Sequence, residues 1–396
     1  MPRLGRFCRL ALPYLVTLTS LASVHAAPQA GLDAKRAPGG DGEELFDEET
    51  FAGNGRTCAT CHRRDGRDVT DIDPDQVQRM YRHRPKDPLF RSIDSNDGKG
   101  ADYALLLRDA TFRIPFVLPP NVTVDERDDN VYVDAQGRTV VVLRRAVPSV
   151  RNITFEDHLM YDGRENADLS HQAITAVQTH NQPGRLPTQA EADAMAAFQR
   201  TLFTSQRLER FAEGGPPPEL PRGHTAAQRR GRLFFEQRNA PYGLCAMCHS
   251  GPLLNTTNGF NPVEGPNRRI AGNFSSELNA NGYPAYTFHF EMPDHTVRTI
   301  RSPDPGRTII TGDPCIDDPA ACTINPGSTA SIFKIPSLWG VVNTAPYFHD
   351  NSAKTLEELM VHYQKFFHVT AVGLQNPDFE IDDQEASDIL AFLKLL

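Results

Sequence analysis

The chain has 396 residues, of which 39% are hydrophobic and 23% charged, and its formal net charge is −9. This length is too great for one compact core and suits two domains of roughly 150–200 residues each. The 31 prolines and 28 glycines predict long irregular connections between short elements. The acidic balance argues against a nucleic-acid partner, because the phosphate backbone is bound by basic surfaces.

An export signal is predicted at residues 1–26. Arg3, Arg6 and Arg9 precede an apolar run over 10–22, and the small residues ending at Ala26 are typical of a signal-peptidase site. The apolar run is too short to cross a bilayer of about 30 Å as a helix, and no later segment is long and apolar enough to do so. We therefore expect cleavage near Ala26 and a soluble, periplasmic mature protein.

Two copies of the motif Cys-x-x-Cys-His are the most specific feature of the sequence. Their residues are Cys58, Cys61 and His62 in the first copy and Cys245, Cys248 and His249 in the second. A zinc ribbon would place two cysteine pairs roughly 15–20 residues apart, whereas these lie 187 positions apart. A thioredoxin-type pair would need a βαβ context, which neither copy has. The remaining interpretation is covalent haem c attachment through both thiols, with the histidine as proximal iron ligand, so two covalently bound haem c groups are predicted.

Export also bears on the other cysteines. Cys8 would leave with the signal. Cys315 and Cys322 bracket a short loop-rich stretch, and in an oxidising compartment this pattern predicts a local, structural disulfide.

The motifs lie inside a longer internal repeat. Segments 148–163 and 336–351 both begin Pro-Ser, and each places an aspartate 14 residues after the proline, at Asp162 and Asp350. The first proline follows its motif by 90 residues and the second by 91. A register held over this distance predicts two homologous haem domains.

We expect a mainly α fold of two tandem cytochrome c-like haem domains with long loops and a small β-hairpin insertion. The predicted boundaries are 1–26 for the signal peptide, 27–212 for the N-terminal haem domain with its insertion at 66–140, 213–224 for a Pro/Gly-rich linker, and 225–396 for the C-terminal haem domain. Apolar spacing predicts helices over 42–51, 187–204 (capped by Thr188), 225–237 and 382–396. Each motif is expected on the N-terminal helix of its domain, and alternating valines predict the hairpin at 121–143.

The two halves differ in their candidate iron ligands. The repeat pairs Tyr161 with His349, and the helix that follows in the second half carries Met360, His362 and Tyr363, each able to ligate iron. The matching stretch of the first half, 174–176, offers no usual ligand. This asymmetry predicts an open iron in the first half, which binds small molecules, and a closed iron in the second, which transfers electrons.

Other ligands for the first haem stay open. The insertion contains His83 and Met80, either of which could close that iron. His158, His171 and His180 could also approach it, although each is better explained as a surface or core histidine.

The chain resembles the bacterial diheme cytochrome c peroxidase family, which includes the diheme tryptophylquinone-forming enzyme of methylamine dehydrogenase maturation. The resemblance covers most of the mature chain and rests on FKIPSLWGVVNTAPYFHDNSAKTLEEL (333–359), DPGRTIITGDP and MYDGRENADLSHQA. It implies that the N-terminal haem reacts with hydrogen peroxide and that the C-terminal haem receives electrons from a small c-type cytochrome or cupredoxin. It also implies a homodimer.

The resemblance assigns further roles by position. Tyr363 takes the place of a distal Met ligand, as in the quinone-forming enzyme, where it would favour higher iron oxidation states; Met360, one turn away, is the alternative ligand. Tyr161 replaces a Trp between the haems and would relay electrons through a radical. An interdomain calcium would take the backbone carbonyls of Thr344 and Pro346, while its Asn ligand falls on Ala146.

The resemblance also places the proton-handling residues. The distal Glu of the family falls near Gln182, which cannot act as an acid–base group, whereas the neighbouring His180 can. Arg164 would position a haem propionate or the distal loop.

The sequence thus predicts an exported diheme c-type oxidoreductase that reduces hydrogen peroxide, with His180 handling protons, Gln182 orienting and Tyr161 relaying electrons. Three alternatives stay open. The chain could oxidise a protein or organic substrate by high-valent chemistry, like the quinone-forming relative. It could oxygenate a substrate, or it could be a non-enzymatic diheme electron carrier.

Overall fold

Helices and small antiparallel sheets alternate along the chain in a computed structural model that describes residues 40–65, 68–236, 243–256, 281–314 and 333–396. These residues belong to one compact unit. The predicted export signal and the predicted disulfide between Cys315 and Cys322 lie outside the described residues. No described helix is long and apolar enough to cross a membrane.

Helices contribute more residues to the described fold than strands do. In chain order they are α1 (Gly40–Glu48), α2 (Pro74–His83), α3 (Ala104–Asp109), α4 (Leu169–His180), α5 (Gln189–Gln199), α6 (Gln206–Ala212), α7 (Ala226–Glu236), α8 (Thr308–Thr311), α9 (Leu356–Leu374) and α10 (Asp383–Leu393). The strands are β1 (His62–Asp65), β2 (Asp68–Asp71), β3 (Phe112–Val117), β4 (Val122–Val124), β5 (Val131–Val133), β6 (Thr139–Arg145), β7 (His158–Leu159), β8 (Glu165–Asn166), β9 (Tyr286–Glu291) and β10 (Val297–Ser302).

The predicted helices begin where their capping residues place them. At α5, Thr188 Oγ1 accepts a hydrogen bond from the Glu191 amide, and the Glu191 carboxylate accepts one from the Thr188 amide. This reciprocal capping box satisfies two amides that the helix leaves unpaired. The predicted helix over 187–204 ends early, at Gln199, and a new helix starts at α6 because Ser205 caps it.

Both motifs lie just beyond the predicted helices and not on them. The first starts on a single 3-10 turn, Cys58–Thr60, and the second on Cys245–Met247. In the first half the reason is the backbone between α1 and the motif. α1 ends at Glu48, and the φ values of Phe51 and Ala52, 53° and 54°, keep the backbone that follows out of the helical conformation.

The insertion is larger than the predicted hairpin. β5 and β6 form that hairpin, but β3 pairs with the other edge of β6, giving a sheet of order β3-β6-β5. β4 leaves the hairpin and pairs with β9, Val122 facing Phe290 and Val124 facing Phe288. All four of these side chains are buried. The insertion therefore packs against the second half of the chain through a sheet to which both contribute strands.

A close helix crossing follows from one glycine in the first half. Where α1 crosses α5, a Cβ on Gly42 would lie 2.1 Å from the Ala194 carbonyl oxygen, so only glycine permits this approach. One turn further along each helix, the rings of Phe46 and Phe198 meet with centroids 5.2 Å apart.

The second half repeats this crossing. Where α7 crosses α10, a Cβ on Gly231 would lie 2.0 Å from the Asp388 carbonyl oxygen. One turn further along, the rings of Phe235 and Phe392 are again 5.2 Å apart. The same glycine and phenylalanine positions therefore build one helix pair in each half, as the internal repeat requires.

Replacing Gly231 by Ala should destabilise the fold by about 1–3 kcal/mol, because the methyl group must push two backbones apart. The free energy of unfolding in urea measures this. The matched control is Gly373→Ala in α9, where a Cβ meets nothing within 4 Å and the better helix propensity of Ala should leave stability equal or higher. Equal effects at the two positions would contradict the tight crossing.

Candidate haem-binding cavity

A cavity of about 550 Å³ is lined by both motifs, although 187 positions separate them in sequence. The lining residues that the sequence predicted are Cys58, Cys61, His62, Cys245, Cys248 and His249. Most of the remaining wall is apolar, with contributions from Phe46, Leu159, Phe235 and Ile389. Apolar walls with a few polar groups are typical of cofactor pockets.

The four motif cysteines are free thiols. Burial raises the pKa of Cys58 and of Cys245 to about 12, and that of Cys61 and of Cys248 to about 11. Redox-active dithiol pairs have lowered thiol pKa values, so these environments argue against a thioredoxin-type role. No disulfide joins these four cysteines, so none of them is consumed by cross-linking.

The two motif histidines are held in the form that binds a metal. His249 Nδ1 lies 2.9 Å from the Leu254 carbonyl oxygen, and His62 Nδ1 lies 3.1 Å from Asp71 Oδ1. A proton on Nδ1 leaves the lone pair on Nε2, as in metal-binding histidines whose other ring nitrogen donates to a carboxylate or a carbonyl. Burial lowers the pKa of His249 to about 4, so this ring is neutral at pH 7.

The charges on the cavity wall suit a cofactor that carries carboxylates. Its cations are Arg56, Arg145, Arg151, Arg164 and Lys334, against the carboxylates Asp71, Asp73 and Glu156. Most of these cations are paired within the protein. Arg151 Nε, however, is buried without a hydrogen-bond partner in the described part of the chain. A haem propionate would satisfy it, so the residues present fit haem.

In the second half, two of the three candidate distal ligands reach the cavity. Tyr363 and Met360, three residues apart on α9, both line it, as residues on one helix face do. Burial and the neighbouring Cys248 and Cys245 raise the pKa of Tyr363 well above its usual range. His362 does not line the cavity; its ring packs against Phe348 with centroids 4.3 Å apart.

In the first half, the insertion residues considered as ligands lie elsewhere. Met80 is buried in the core of the insertion and His83 is exposed at the end of α2. Neither lines the cavity, and neither do Thr175 and Ile174 of α4. Ala176 does line it and has no ligating group.

Of three further histidines, His180 alone lines the cavity, whereas His158 and His171 do not. His180 is partly buried, and burial lowers its pKa to about 4, so it is neutral at pH 7. Its carbonyl oxygen accepts hydrogen bonds from Asn54 Nδ2 at 3.0 Å and from Arg56 Nη1 at 3.4 Å. These bonds fix the end of α4 against the loop that precedes the first motif.

Gln182 is placed away from this cavity. It is exposed, has a φ of 46°, and its Oε1 accepts a hydrogen bond from Asn54 Nδ2 at 3.2 Å. It is not among the lining residues. The structure therefore brings His180 to the cavity and leaves Gln182 at the surface.

The paired residues of the repeat meet at the cavity. Tyr161 and His349 contact each other edge to face, with ring centroids 6.5 Å apart. The Lys334 amide donates to the Tyr161 carbonyl oxygen, and the Ala146 amide donates to the His349 carbonyl oxygen, both at 2.7 Å. Ala146 and Lys334 are themselves 188 positions apart, like Tyr161 and His349. Reciprocal contacts of this kind are the signature of two-fold symmetry, here between the two halves of one chain.

The positions implied for calcium carry few ligands. Thr344 and Pro346 both line the cavity, and Thr344 Oγ1 donates to the Val341 carbonyl oxygen at 3.0 Å. Ala146 also lines it but offers no side-chain oxygen. Within the described ranges, no group of three or more His, Cys, Asp or Glu side chains is arranged to hold a metal ion.

Asp71 is a site residue that the sequence analysis missed. β1 and β2 pair so that His62 faces Asp71, which brings this carboxylate to the histidine of the first motif. The signal was present as DGR, a turn sequence between two short polar segments. It was hard to recognise because neither segment has the alternation of a half-buried strand.

No protein-family model matches the chain, and no curated protein matches it. Among solved structures it is similar to a MauG-like protein associated with microbial copper homeostasis, with 19% identity, 90% of this chain and 86% of that chain covered, and a TM-score of 0.47. It is also similar to the diheme peroxidase BthA from Burkholderia thailandensis, with 13% identity, coverage of 90% and 84%, and a TM-score of 0.39. In its motifs the chain resembles the bacterial diheme cytochrome c peroxidase family.

Proposed function

We propose that the chain is an exported, periplasmic diheme c-type oxidoreductase that reduces hydrogen peroxide in its N-terminal half with electrons that enter through its C-terminal half. The observation that carries the proposal is one cavity lined by both Cys-x-x-Cys-His motifs. The haems would supply the redox chemistry, in which peroxide, two protons and two electrons give two waters. A small one-electron donor protein, a c-type cytochrome or a cupredoxin, would provide the electrons.

The side chains of the chain would bind the cofactors and move the protons. His62 and His249 would bind the irons, with Asp71 and the Leu254 carbonyl orienting their rings. His180 is neutral and borders the cavity, so its free nitrogen lone pair can accept a proton from peroxide and return it to the departing oxygen.

Electrons would cross between the halves at the contact of Tyr161 and His349. These rings meet at the local two-fold axis, and both line the cavity that the two motifs share. The contact of Tyr161 and His349 would shorten the distance that an electron must cross between haems bound on either side of the two rings.

The test uses the mature protein purified from an exporting host. Its intact mass should include two haems, and its ferric EPR spectrum should contain one high-spin and one low-spin centre. Stopped-flow mixing with peroxide and a reduced small cytochrome should then oxidise two equivalents of cytochrome per peroxide. Two low-spin centres with no turnover would instead establish an electron carrier.

A second candidate function is oxidation of an organic or protein substrate, and Tyr363 favours it. A phenol that lines the cavity beside the second motif is the feature that the resemblance associates with the quinone-forming enzyme. This function predicts that peroxide produces a long-lived oxidised protein and little oxidation of cytochrome. Rapid turnover of cytochrome would reject it.

Replacing Tyr363 by Phe should change the absorption and EPR spectra of the second haem, because the substitution removes the oxygen ligand and keeps the ring packing. The control is Met360→Leu, which keeps the apolar volume and should leave the spectra unchanged. A spectrum altered by the Met360 substitution alone would transfer the ligand role to the thioether.

A further inference from the structure

A single buried cation lies at the two-fold axis between the halves. Arg145 is 2% exposed, and its guanidinium carbon lies 4.4 Å from the centre of the Phe116 ring and 5.5 Å from that of Phe333. Arg145 and Phe333 are 188 positions apart, the same offset as the other paired residues of the repeat. The axis therefore carries a cation from one half against an aromatic ring from the other.

Two carboxylates, one from each half, neutralise this cation. Arg145 Nη1 donates to Asp162 Oδ2 at 2.5 Å, while Nε and Nη2 donate to the two oxygens of Asp304 at 2.6 and 2.8 Å. Burial alone would lower the pKa of Arg145, but Asp304 and Asp162 raise it above its ordinary value, so the guanidinium stays charged. Both aspartates are themselves buried.

The partners of Arg145 are also the neighbours of the aromatic contact. Asp162 directly follows Tyr161 in the chain. Asp304 Oδ2 lies 3.8 Å from His349 Nε2, and the Phe333 ring stacks on the His349 ring with centroids 3.9 Å apart. Each of these three partners thus restrains one member of the Tyr161–His349 pair.

We propose that Arg145 is a positioning residue that holds Tyr161 against His349 at the spacing needed for electron transfer between the two halves. The inference rests on the proposed function for the presence of two haems. In each electron transfer the donor haem would lose one electron and the acceptor haem would gain it. The Tyr161 hydroxyl donates a hydrogen bond to the Val147 carbonyl oxygen at 3.2 Å, which helps to fix the orientation of the ring.

The geometry requires a guanidinium and not merely a positive charge. Three nitrogen atoms of Arg145 bond two carboxylates in different directions, which the compact ammonium of lysine cannot reproduce. Arg145→Lys therefore keeps the positive charge but loses the bonds that would fix the spacing of the Tyr161 and His349 rings. Asp304→Asn is a second variant that keeps the arginine and weakens its bidentate bond.

The experiment measures electron transfer in the haem-loaded protein after one haem is reduced by a short pulse. Arg145→Lys and Asp304→Asn should each slow the exchange of that electron between the haems at least tenfold, measured in molecules that carry both haems. Thr188→Ala, which removes the distant cap of α5, is the control for lost stability and should leave the rate unchanged.

A second readout does not depend on haem activity. Exchange of the Ala146 and Lys334 amides with deuterium should accelerate in both variants, because these amides bond the carbonyls of the paired residues. A fall in stability with unchanged electron transfer and unchanged exchange would overturn the proposal and leave Arg145 as a structural ion pair. If the unaltered protein binds two haems but does not turn over peroxide, the proposed function fails. The electron-transfer rates of the two variants still decide whether Arg145 is a positioning residue.

Discussion

Replacing Cys58 and Cys61 together by serine should remove half of the covalently bound haem. Serine keeps the shape of the side chain but cannot form a thioether, so the first half would lose its attachment while the second keeps both thiols. Intact mass and the absorbance of the denatured protein at the haem band measure the loss. We expect one haem per chain in place of two, and no peroxide turnover.

The complementary variant is the control. Replacing Cys245 and Cys248 by serine should also leave one haem per chain, now in the first half. Because the two centres differ in predicted ligation, the remaining haem should be low-spin in the first variant and high-spin in the second. Two covalent haems in either double variant, or none in the unaltered protein, would refute the attachment sites on which the proposed function depends.

The pairing across the repeat was predictable from sequence because it depends on register alone. The spacing of the two Pro-Ser segments made Tyr161 and His349 equivalent positions, whereas the contact between their rings is known only from the structure. The helix crossings at Gly42 and Gly231 follow the same repeat. The glycines themselves were less informative in the sequence, because a glycine inside a helix can be explained only when the backbone that crosses it is known.

Contacts between distant segments were not predictable in this way. The pairing of β4 with β9 joins residues more than 160 positions apart, and no local periodicity encodes a partner at that distance. The bonds from Arg145 to Asp304 are of the same kind. The non-helical backbone between α1 and the first motif was missed for a different reason, because Phe51 and Ala52 adopt positive φ values that their side chains disfavour.

The candidate for proton transfer illustrates both limits. The resemblance placed the proton-handling residue of the family near Gln182. Of the two neighbouring side chains, however, only His180 can act as an acid–base group near neutral pH. The structure leaves Gln182 exposed and brings His180 to the cavity wall. The position of His180 depends on hydrogen bonds from Asn54 and Arg56 to the His180 carbonyl oxygen. No sequence motif predicts these bonds.

Replacing His180 by Gln should lower peroxide turnover by about 10²–10⁴-fold, the usual loss when a general acid–base group is removed. Glutamine keeps similar volume but cannot take up a proton near neutral pH. The matched control is His171→Gln, an exposed histidine on the same helix, which should retain full activity. A loss of only a few-fold at His180 would make it a core histidine.

The pH dependence gives an independent check on His180. Its folded-state pKa is lowered to about 4 from an ordinary 6.5, so the neutral base persists until the pH approaches 4, and wild-type turnover should fall below that value. For the same reason the unfolded chain takes up this proton first, so the histidine makes the fold less stable as the pH falls from about 6.5 to 4. In His180→Gln both the acidic fall in turnover and this part of the stability change should disappear. If both persist, the titrating group lies elsewhere in the cavity.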